Sequence, residues 1–443
     1  MRHSAIATLT AAFLGCGALT GLPLYGAQAA EQPSVEISLT EGLKEATDEN
    51  RLVKIASYNP AMASADVSAA YSRFLPSVNA TAGQTWLAYQ PGAIVGQNSF
   101  FTANRSSFSY GFTATQTLYD FGARSARYQA AKTSEESAKL DLQRIRNFIA
   151  FDFISAYFSL LETGKLVNTV EKELDSLNGH VQTARSLYEQ GVITKNDLLQ
   201  ANVKMSDTRQ RLIAVRNQRS LAVSSLNTIL GRPLGTDLKP AEVGYDLTTP
   251  YSLRQAWDAA GERRREVAMI ANEITVAELE ERAKNSGYFP TIFASGGYNY
   301  GENKYQLHQD NWSLTLGLNL NLFSGGLTKA EIAKIRHRRE QLMEQKRKLL
   351  DDIRLEVEQW YRNEVNAKER VTVTKDATEQ AEENLRITRV RYQEGVGTAT
   401  DVLDAISLRT IAETNYFRAL YDMRRAHAGL LHAIGDDLAS VYK

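Results

Sequence analysis

From Trp312 to Leu322 apolar and polar residues alternate without a break, with Trp312, Leu314, Leu316, Leu318, Leu320 and Leu322 on one side and Ser313, Thr315, Gly317, Asn319 and Asn321 on the other. A period of two sustained over this length predicts a strand that can cross a bilayer when tilted. Phe108, Tyr110, Phe112 and Ala114 alternate in the same way with Ser107, Ser109, Gly111, Thr113, Thr115 and Thr117. Weaker, aromatic strands are expected before each of these, over 76–89 and 290–300. The apolar face is expected against lipid and the small polar face against a watery lumen. A soluble sandwich is the alternative, but two hairpins are too few strands to build one.

Elsewhere the period is helical. Prolines stand only at 23, 33, 60, 76, 91, 233, 240, 250 and 290, and Leu327 to Glu394 holds neither Gly nor Pro. That tract is rich in Ala, Glu, Lys, Arg, Gln and Leu, all strong helix formers. A helix of that length extends on the order of 100 Å. Ile353, Val357, Trp360, Tyr361 and Val365 recur three and four apart, so the helix needs coiled-coil-like partners to cover its apolar stripe. Ala123 to Gln190 is the corresponding helix upstream.

The correspondence is a duplication. Tyr188-Glu189-Gln190-Gly191-Val192 and Tyr392-Gln393-Glu394-Gly395-Val396 lie 204 residues apart (395 less 191), as do Leu226, Leu230 and Gly231 from Leu430, Ile434 and Gly435. Upstream the separation is 214 (252 less 38): Ser38-Leu39 matches Ser252-Leu253, Val53 matches Val267, and Phe74-Leu75-Pro76 matches Tyr288-Phe289-Pro290. The extra ten residues (214 less 204) of the first copy fall between Pro76 and Leu118, which marks an exposed loop. Each long helix is expected to stop at a glycine, Gly191 or Gly395, and a new one to start at Thr194 or Thr398 through a Thr-x-x-Asp capping box. Ser38 and Ser252 open the first helix of each copy with Ser-x-x-Glu/Gln boxes. Pro60, where the second copy has Ile274, predicts a kink in the first copy.

The expected fold is therefore mainly α with a transmembrane β-barrel contribution. Its domains are a signal peptide at 1–29, a first repeat at 30–234, a linker at 235–251 and a second repeat at 252–443. Arg2 and His3 before an apolar run, followed by Ala27-Gln28-Ala29, give the layout of a secretory signal. Cys16, the single cysteine, falls inside it, so the mature chain has no thiol chemistry, and the flanking residues argue against acylation there. Formal net charge is zero, with 51 basic and 51 acidic residues, which gives no support to a nucleic-acid partner. The six histidines show no ligand spacing, and no phosphate loop or nucleophile elbow is present, so neither a metal, a cofactor nor an enzyme is expected. Arg263–Arg265 and the basic run at 336–339 are read as solvated helix faces.

Four strands cannot close a spanning barrel, and open edges in hydrocarbon leave backbone groups unsatisfied at several kcal/mol each. Oligomerisation follows, with eight strands from a dimer or twelve from a trimer, only the latter beginning to leave a lumen.

The duplicated layout, the Phe-Leu-Pro and Phe-Pro leads into the strands, Ser-Leu-Thr-Glu-Gly-Leu at 38–43, the two tips, Asp401-Val402-Leu403-Asp404 and Leu-Gly-Arg-Pro at 230–233 together resemble the TolC family of outer-membrane efflux and type I secretion channels. The resemblance covers essentially the whole mature chain. It implies a homotrimer with four strands per protomer closing a twelve-stranded barrel in outer-membrane lipid, and a long periplasmic helical tunnel. It implies docking to a periplasmic membrane-fusion adaptor and an inner-membrane ABC or proton-driven transporter.

Residue by residue, the resemblance places the gate constriction at Asp401 and Asp404, where a threefold ring sets six carboxylates about the axis. The same acids also read as first-turn residues favoured by the helix dipole. Tyr392 and Asp197 match a latching hydrogen bond, whereas Gly397 stands where well-known members carry an arginine. Gly191, Val192, Thr194, Gly395, Val396 and Thr398 match the adaptor-docking tips, and as helix caps they have a purely conformational reading too. Trp86, Tyr89, Tyr298, Tyr300 and Trp312 are expected to form an aromatic belt or to pack within the strands. The function expected is a passive exit duct gated at its periplasmic end. A structural coiled-coil protein of the envelope is the alternative.

Overall fold

The computed structural model describes residues 35–242, 244 and 251–442, so the expected signal segment and Cys16 lie outside the described residues. A short strand β1 (Val35–Ile37) leads into α1 (Leu39–Glu49) and α2 (Arg51–Ser72). Strands β2 (Ser77–Trp86), β3 (Gly92–Val95), β4 (Asn98–Phe101) and β5 (Ser106–Tyr119) precede the 67-residue α3 (Ala123–Glu189) and the 36-residue α4 (Lys195–Leu230). After β6 (Leu238–Pro240), within the expected linker, come α5 (Leu253–Arg263), α6 (Arg265–Asn285), β7 (Thr291–Gly301) and β8 (Asp310–Asn319). The chain closes with α7 (Leu327–Gln393), α8 (Ala399–Ile434) and the single turn α9 (Leu438–Val441). Helices α7 and α8 have 67 and 36 residues, matching α3 and α4 residue for residue.

The ten-residue insertion forms the hairpin β3–β4, which projects beyond β2 and β5. The strand expected to run to Leu322 ends at Asn319, because Gly325 and Gly326, with φ of +63° and +84°, turn the chain into α7.

Each copy opens with two helices rather than one. Pro60 lies inside α2, and the break between the two helices of the first copy falls at Asn50. Asn50 caps α2 by accepting from the Leu52 amide at 2.8 Å and donates its Nδ2 to the Ile229 carbonyl at 2.8 Å. The second copy breaks at Arg264, 214 residues on, whose guanidinium reaches the Ala433 carbonyl at 3.3 Å, the position equivalent to Ile229. Different side chains thus fasten the same joint to the same turn of the returning helix. Arg264 also pairs with Glu266 at 3.1 Å and Glu356 at 3.0 Å and is 11% exposed, so this member of the basic run is structural rather than solvated. Arg336, Arg338 and Arg339 pair with Glu280 and Glu281 and tie α7 to α6.

The largest core lies at mid-height. Phe153, Tyr157 and Phe158 of α3 pack with Leu39 and Leu43 of α1 and Leu226 and Leu230 of α4, each fully or almost fully buried. Burial of each such side chain contributes roughly 1.5–3 kcal/mol. Strands β1 and β6 pair in parallel over this core, and the Tyr157 hydroxyl lies 3.1 Å from the Ile37 carbonyl and 2.6 Å from that of Ala241. Below it the helices run side by side in the order α4, α3, α8, α7; above it the order is α2, α3, α6, α7. Copy one therefore ends on α2 and α4 at one edge, and copy two on α7 at the other.

Candidate channel wall and gate

The two hairpins form one antiparallel sheet in the order β2-β5-β7-β8. The register fixes what each face carries. Ala80, Phe112, Tyr298 and Trp312 lie in one row across the strands, and Val78, Ala114, Gly296 and Leu314 in another. Thr81, Gly111 and Asn299 form a row on the opposite face, as do Thr113, Gly297 and Ser313. Alternation read along single strands thus becomes one continuous apolar face backed by one of small polar residues. Leu314, Leu316 and Leu318 are solvent-exposed in the single chain.

Aromatic rings bracket the apolar band. At the end away from the helices Tyr110 stacks on Tyr300 with centroids 5.0 Å apart and lies 6.2 Å from Tyr298, while Trp86, Tyr89 and Trp312 are exposed. A second group, which the sequence reading missed, sits where the strands meet the helices: Phe121 stacks on Phe289 at 4.8 Å and Tyr119 meets Phe121 edge-on at 4.8 Å. Two aromatic girdles flanking an aliphatic band are the pattern of a strand wall at two membrane surfaces. Phe121 takes φ +51°, where the second copy has Gly325, so its stacking is made at the expense of a left-handed backbone.

At the other end of the long helices the two tips are built alike. Gly191 and Gly395, with φ of +72° and +74°, end α3 and α7, and the Val192 and Val396 amides donate back to the carbonyls of Leu187 at 2.9 Å and Arg391 at 3.0 Å. Thr194 and Thr398 then cap α4 and α8. The Thr194 amide donates to Asp197 Oδ2 at 3.0 Å, and the Thr398 amide to Asp401 Oδ2 at 3.0 Å. Such caps are worth about 1 kcal/mol each. Val192 and Val396 are left exposed at the apex.

Asp401 and Asp404 point to solvent from one face of α8, while Val402, Leu403, Ala405 and Ile406 are buried on the other. The Thr398 amide and hydroxyl hold the Asp401 carboxyl below the usual carboxylate range. It therefore remains charged while it caps the helix. Tyr392 and Asp197 come close without bonding: the Asp197 carboxylate accepts from Thr194, and the Tyr392 hydroxyl is buried with no hydrogen-bond partner among the described residues. Burial, and then the charge of Asp197, push the Tyr392 hydroxyl up from its ordinary value. Its ring packs against His180 at 5.1 Å, beside a cavity of about 430 Å³ that Arg389 also lines. The Gly397 amide donates to the Arg391 carbonyl at 3.1 Å, and a Cβ there would lie 3.1 Å from the Tyr392 amide nitrogen. A side chain at 397 requires the end of α7 to give by a few tenths of an ångström.

Among the described residues no group of three or more His, Cys, Asp or Glu could hold a metal, and no helix is long and apolar enough to cross a membrane.

The sequence profile of the outer membrane efflux protein family matches residues 42–232 and 257–436, one segment for each copy. The chain belongs to the outer membrane efflux protein family. It is 23% identical to the pyoverdine export outer membrane protein OpmQ of Pseudomonas aeruginosa over 86% of its own length and 81% of the relative. The alkaline protease secretion protein AprF of the same organism is 24% identical, over 74% of this chain and 70% of the relative. Outer membrane protein TolC of Vibrio cholerae is 23% identical, over 83% of this chain and 84% of the relative. Among solved structures, the outer membrane protein VceC of Vibrio cholerae superimposes with a TM-score of 0.78 at 17% identity, over 90% of this chain and 96% of that one. CusC superimposes with a TM-score of 0.79 at 17% identity, over 90% and 92%. The chain is thus an outer-membrane protein of the efflux class, with a long helical periplasmic part.

Proposed function

We propose that three copies of the chain close into a gated exit duct by repeating between subunits the contacts that join the two copies within one. Inside the chain the first copy meets the second through β5–β7, α3–α6 and α3–α8. Transposing the copies turns these into β8 against the next subunit's β2, and α7 against its α2 and α4. Those are the elements left open. Strands β2 and β8 each have one unpaired edge among the described residues. Leu52, Ile55 and Met62 of α2, Leu199, Val203 and Ile213 of α4, and Leu355, Val373 and Ile387 of α7 expose apolar side chains. A head-to-tail interface of this kind forms a ring when its rotation closes, and three subunits of four strands give a twelve-stranded barrel with room for a lumen. This match between internal and open edges is the observation that carries the reading.

In the assembled ring, the sheet's leucine face meets lipid and its small polar face lines the lumen. The repeats at 30–234 and 252–443 each contribute one hairpin to the wall. Asp401 and Asp404 from three subunits form the periplasmic constriction, with Tyr392 and Asp197 as its latch. Val192 and Val396, presented by Gly191, Thr194, Gly395 and Thr398, dock a periplasmic adaptor, which couples the duct to an inner-membrane ABC or proton-driven transporter. The duct itself is passive. Purified protein in planar bilayers is expected to show pores whose current is blocked by divalent cations from the tip side, and Asp401→Ala with Asp404→Ala is expected to relieve the block. Pores blocked equally after the double substitution would remove the gate assignment.

A further inference from the structure

At its helix-side end the polar face of the sheet opens into a cavity of about 660 Å³, walled by Thr115, Thr117 and the adjoining ends of α2, α3, α6 and α7. Six charged side chains line it: Arg73, Arg124, Arg127, Lys284, Asp120 and Glu331. Both acids are already engaged, Asp120 by Arg124 at 3.0 Å and Glu331 by Lys284 at 2.9 Å. The remaining donors of Arg124 go to the carbonyls of Arg73, Thr117 and Leu118 at 3.3, 2.7 and 3.2 Å, so this residue clasps the strand-to-helix junction. Arg73 and Arg127 are exposed and have no ion-pair partner among the described residues.

The duplication supplies an internal control. In the second copy the positions equivalent to Arg73, Arg124 and Arg127 are Gly287, Thr328 and Glu331, and all three line the same cavity. The chain therefore makes the same junction a second time with no cation at these positions. Folding does not require Arg73 and Arg127, and the excess positive charge needs another explanation.

We propose that Arg73 and Arg127, with their counterparts in the other subunits, form a basic collar at the junction of barrel and tunnel that concentrates solutes bearing carboxylate, phosphate or sulfonate groups. The proposal rests on the reading of the polar face as lumen. Charges in a narrow, low-dielectric wall focus the field into the solvent they enclose. Screening at physiological salt acts over about 8 Å, whereas the tip acids lie on the order of 100 Å away along the helices. The collar and the acidic constriction therefore act independently, one on anions and the other on cations.

The test uses the full mature protein in planar bilayers under an asymmetric KCl gradient, with the chloride-to-potassium permeability ratio taken from the reversal potential. Arg73→Gly combined with Arg127→Glu installs the residues that the second copy carries at these positions. The ratio is expected to fall severalfold, and inorganic pyrophosphate added on the barrel side is expected to lose its block of the current. Arg73→Lys with Arg127→Lys retains both. Variant pores with an unchanged ratio and unchanged block would overturn the collar while leaving the duct intact. Wild-type protein that forms no pore would overturn the duct reading, and the collar with it.

Discussion

Tyr188 and Tyr392 stand three residues before their tip glycines on helices of the same length, yet Tyr188 is 40% exposed and Tyr392 only 5%. The backbones around them agree in glycine φ, cap and turn. What differs is the cover: His180 of α3 lies over Tyr392, whereas the residue equivalent to His180 is Asn384, exposed on the open edge of α7. On the repeated-interface reading the neighbour's α7 supplies the missing cover for Tyr188. Duplication thus preserved what the backbone demands and released the side-chain chemistry, so the two copies test one another position by position.

The largest difference concerns buried charge. Glu173 of α3 is 1% exposed and is held by Arg211 of α4 at 2.5 Å and by Thr208 at 3.3 Å. The counterparts of Glu173 and Arg211 in copy two, Ala377 and Asn415, are both exposed. Arg211→Ala strands a buried carboxylate and is expected to cost about 3–5 kcal/mol, whereas Asn415→Ala is expected to change stability by less than about 0.5 kcal/mol. Thermal unfolding in detergent measures both, and equal effects would break the comparison.

The helix-end glycines come next. Gly435 has φ +91°, and a Cβ there would lie 3.0 Å from the backbone of Arg263 and Arg264, while at Gly231, φ +73°, the nearest atom is the Glu49 carbonyl oxygen at 3.3 Å. Both substitutions to Ala carry the left-handed penalty of roughly 1–2 kcal/mol, and Gly435→Ala is expected to cost more because backbone on both sides must move. Smaller still are the tip caps. Thr194→Ala and Thr398→Ala are each expected to cost about 1 kcal/mol, and an unequal loss would show that one tip is restrained by more than its cap.

Acid sharpens the contrast at the latch. Burial and then the charge of Arg389 lower His180 from 6.5 to about 4. A histidine kept neutral by the fold stabilises it fully above its ordinary value, and that contribution is lost as pH falls from 6.5 towards 4. His432, lowered to about 4 by burial and then Arg264, adds to the same slope at mid-height. His180→Gln is expected to make the melting temperature in detergent less steep in pH across this window. An unchanged slope would mean that His180 is not held neutral.

Helix lengths, tips, strand faces and the site of the insertion were legible in the sequence because each follows from a local period or a capping residue. The break at Asn50 had no local signal, because it is the bond of Asn50 to Ile229, far along the chain, that fixes where α1 gives way to α2. The pairing of β1 with β6 left no period to read, since each has three residues and they lie some two hundred apart. The basic run at 263–265 looked solvated because nothing local shows that Arg264 faces Glu356 and Ala433. At the candidate gate the tips, acids and caps could be placed from sequence. The burial of Tyr392 under His180 could not, because it depends on which helices lie together.

Closure of the ring by repetition of the internal interface is tested most directly by cysteine pairing, since Cys16, within the expected signal segment, is the single cysteine of the sequence. His180→Cys with Tyr392→Cys is expected to crosslink within one chain. Tyr188→Cys with Asn384→Cys is expected to crosslink between chains, giving a covalent trimer on denaturing gels after oxidation in outer-membrane preparations. Crosslinks confined to single chains for both pairs, or a protein that stays a water-soluble monomer without detergent, would contradict the account.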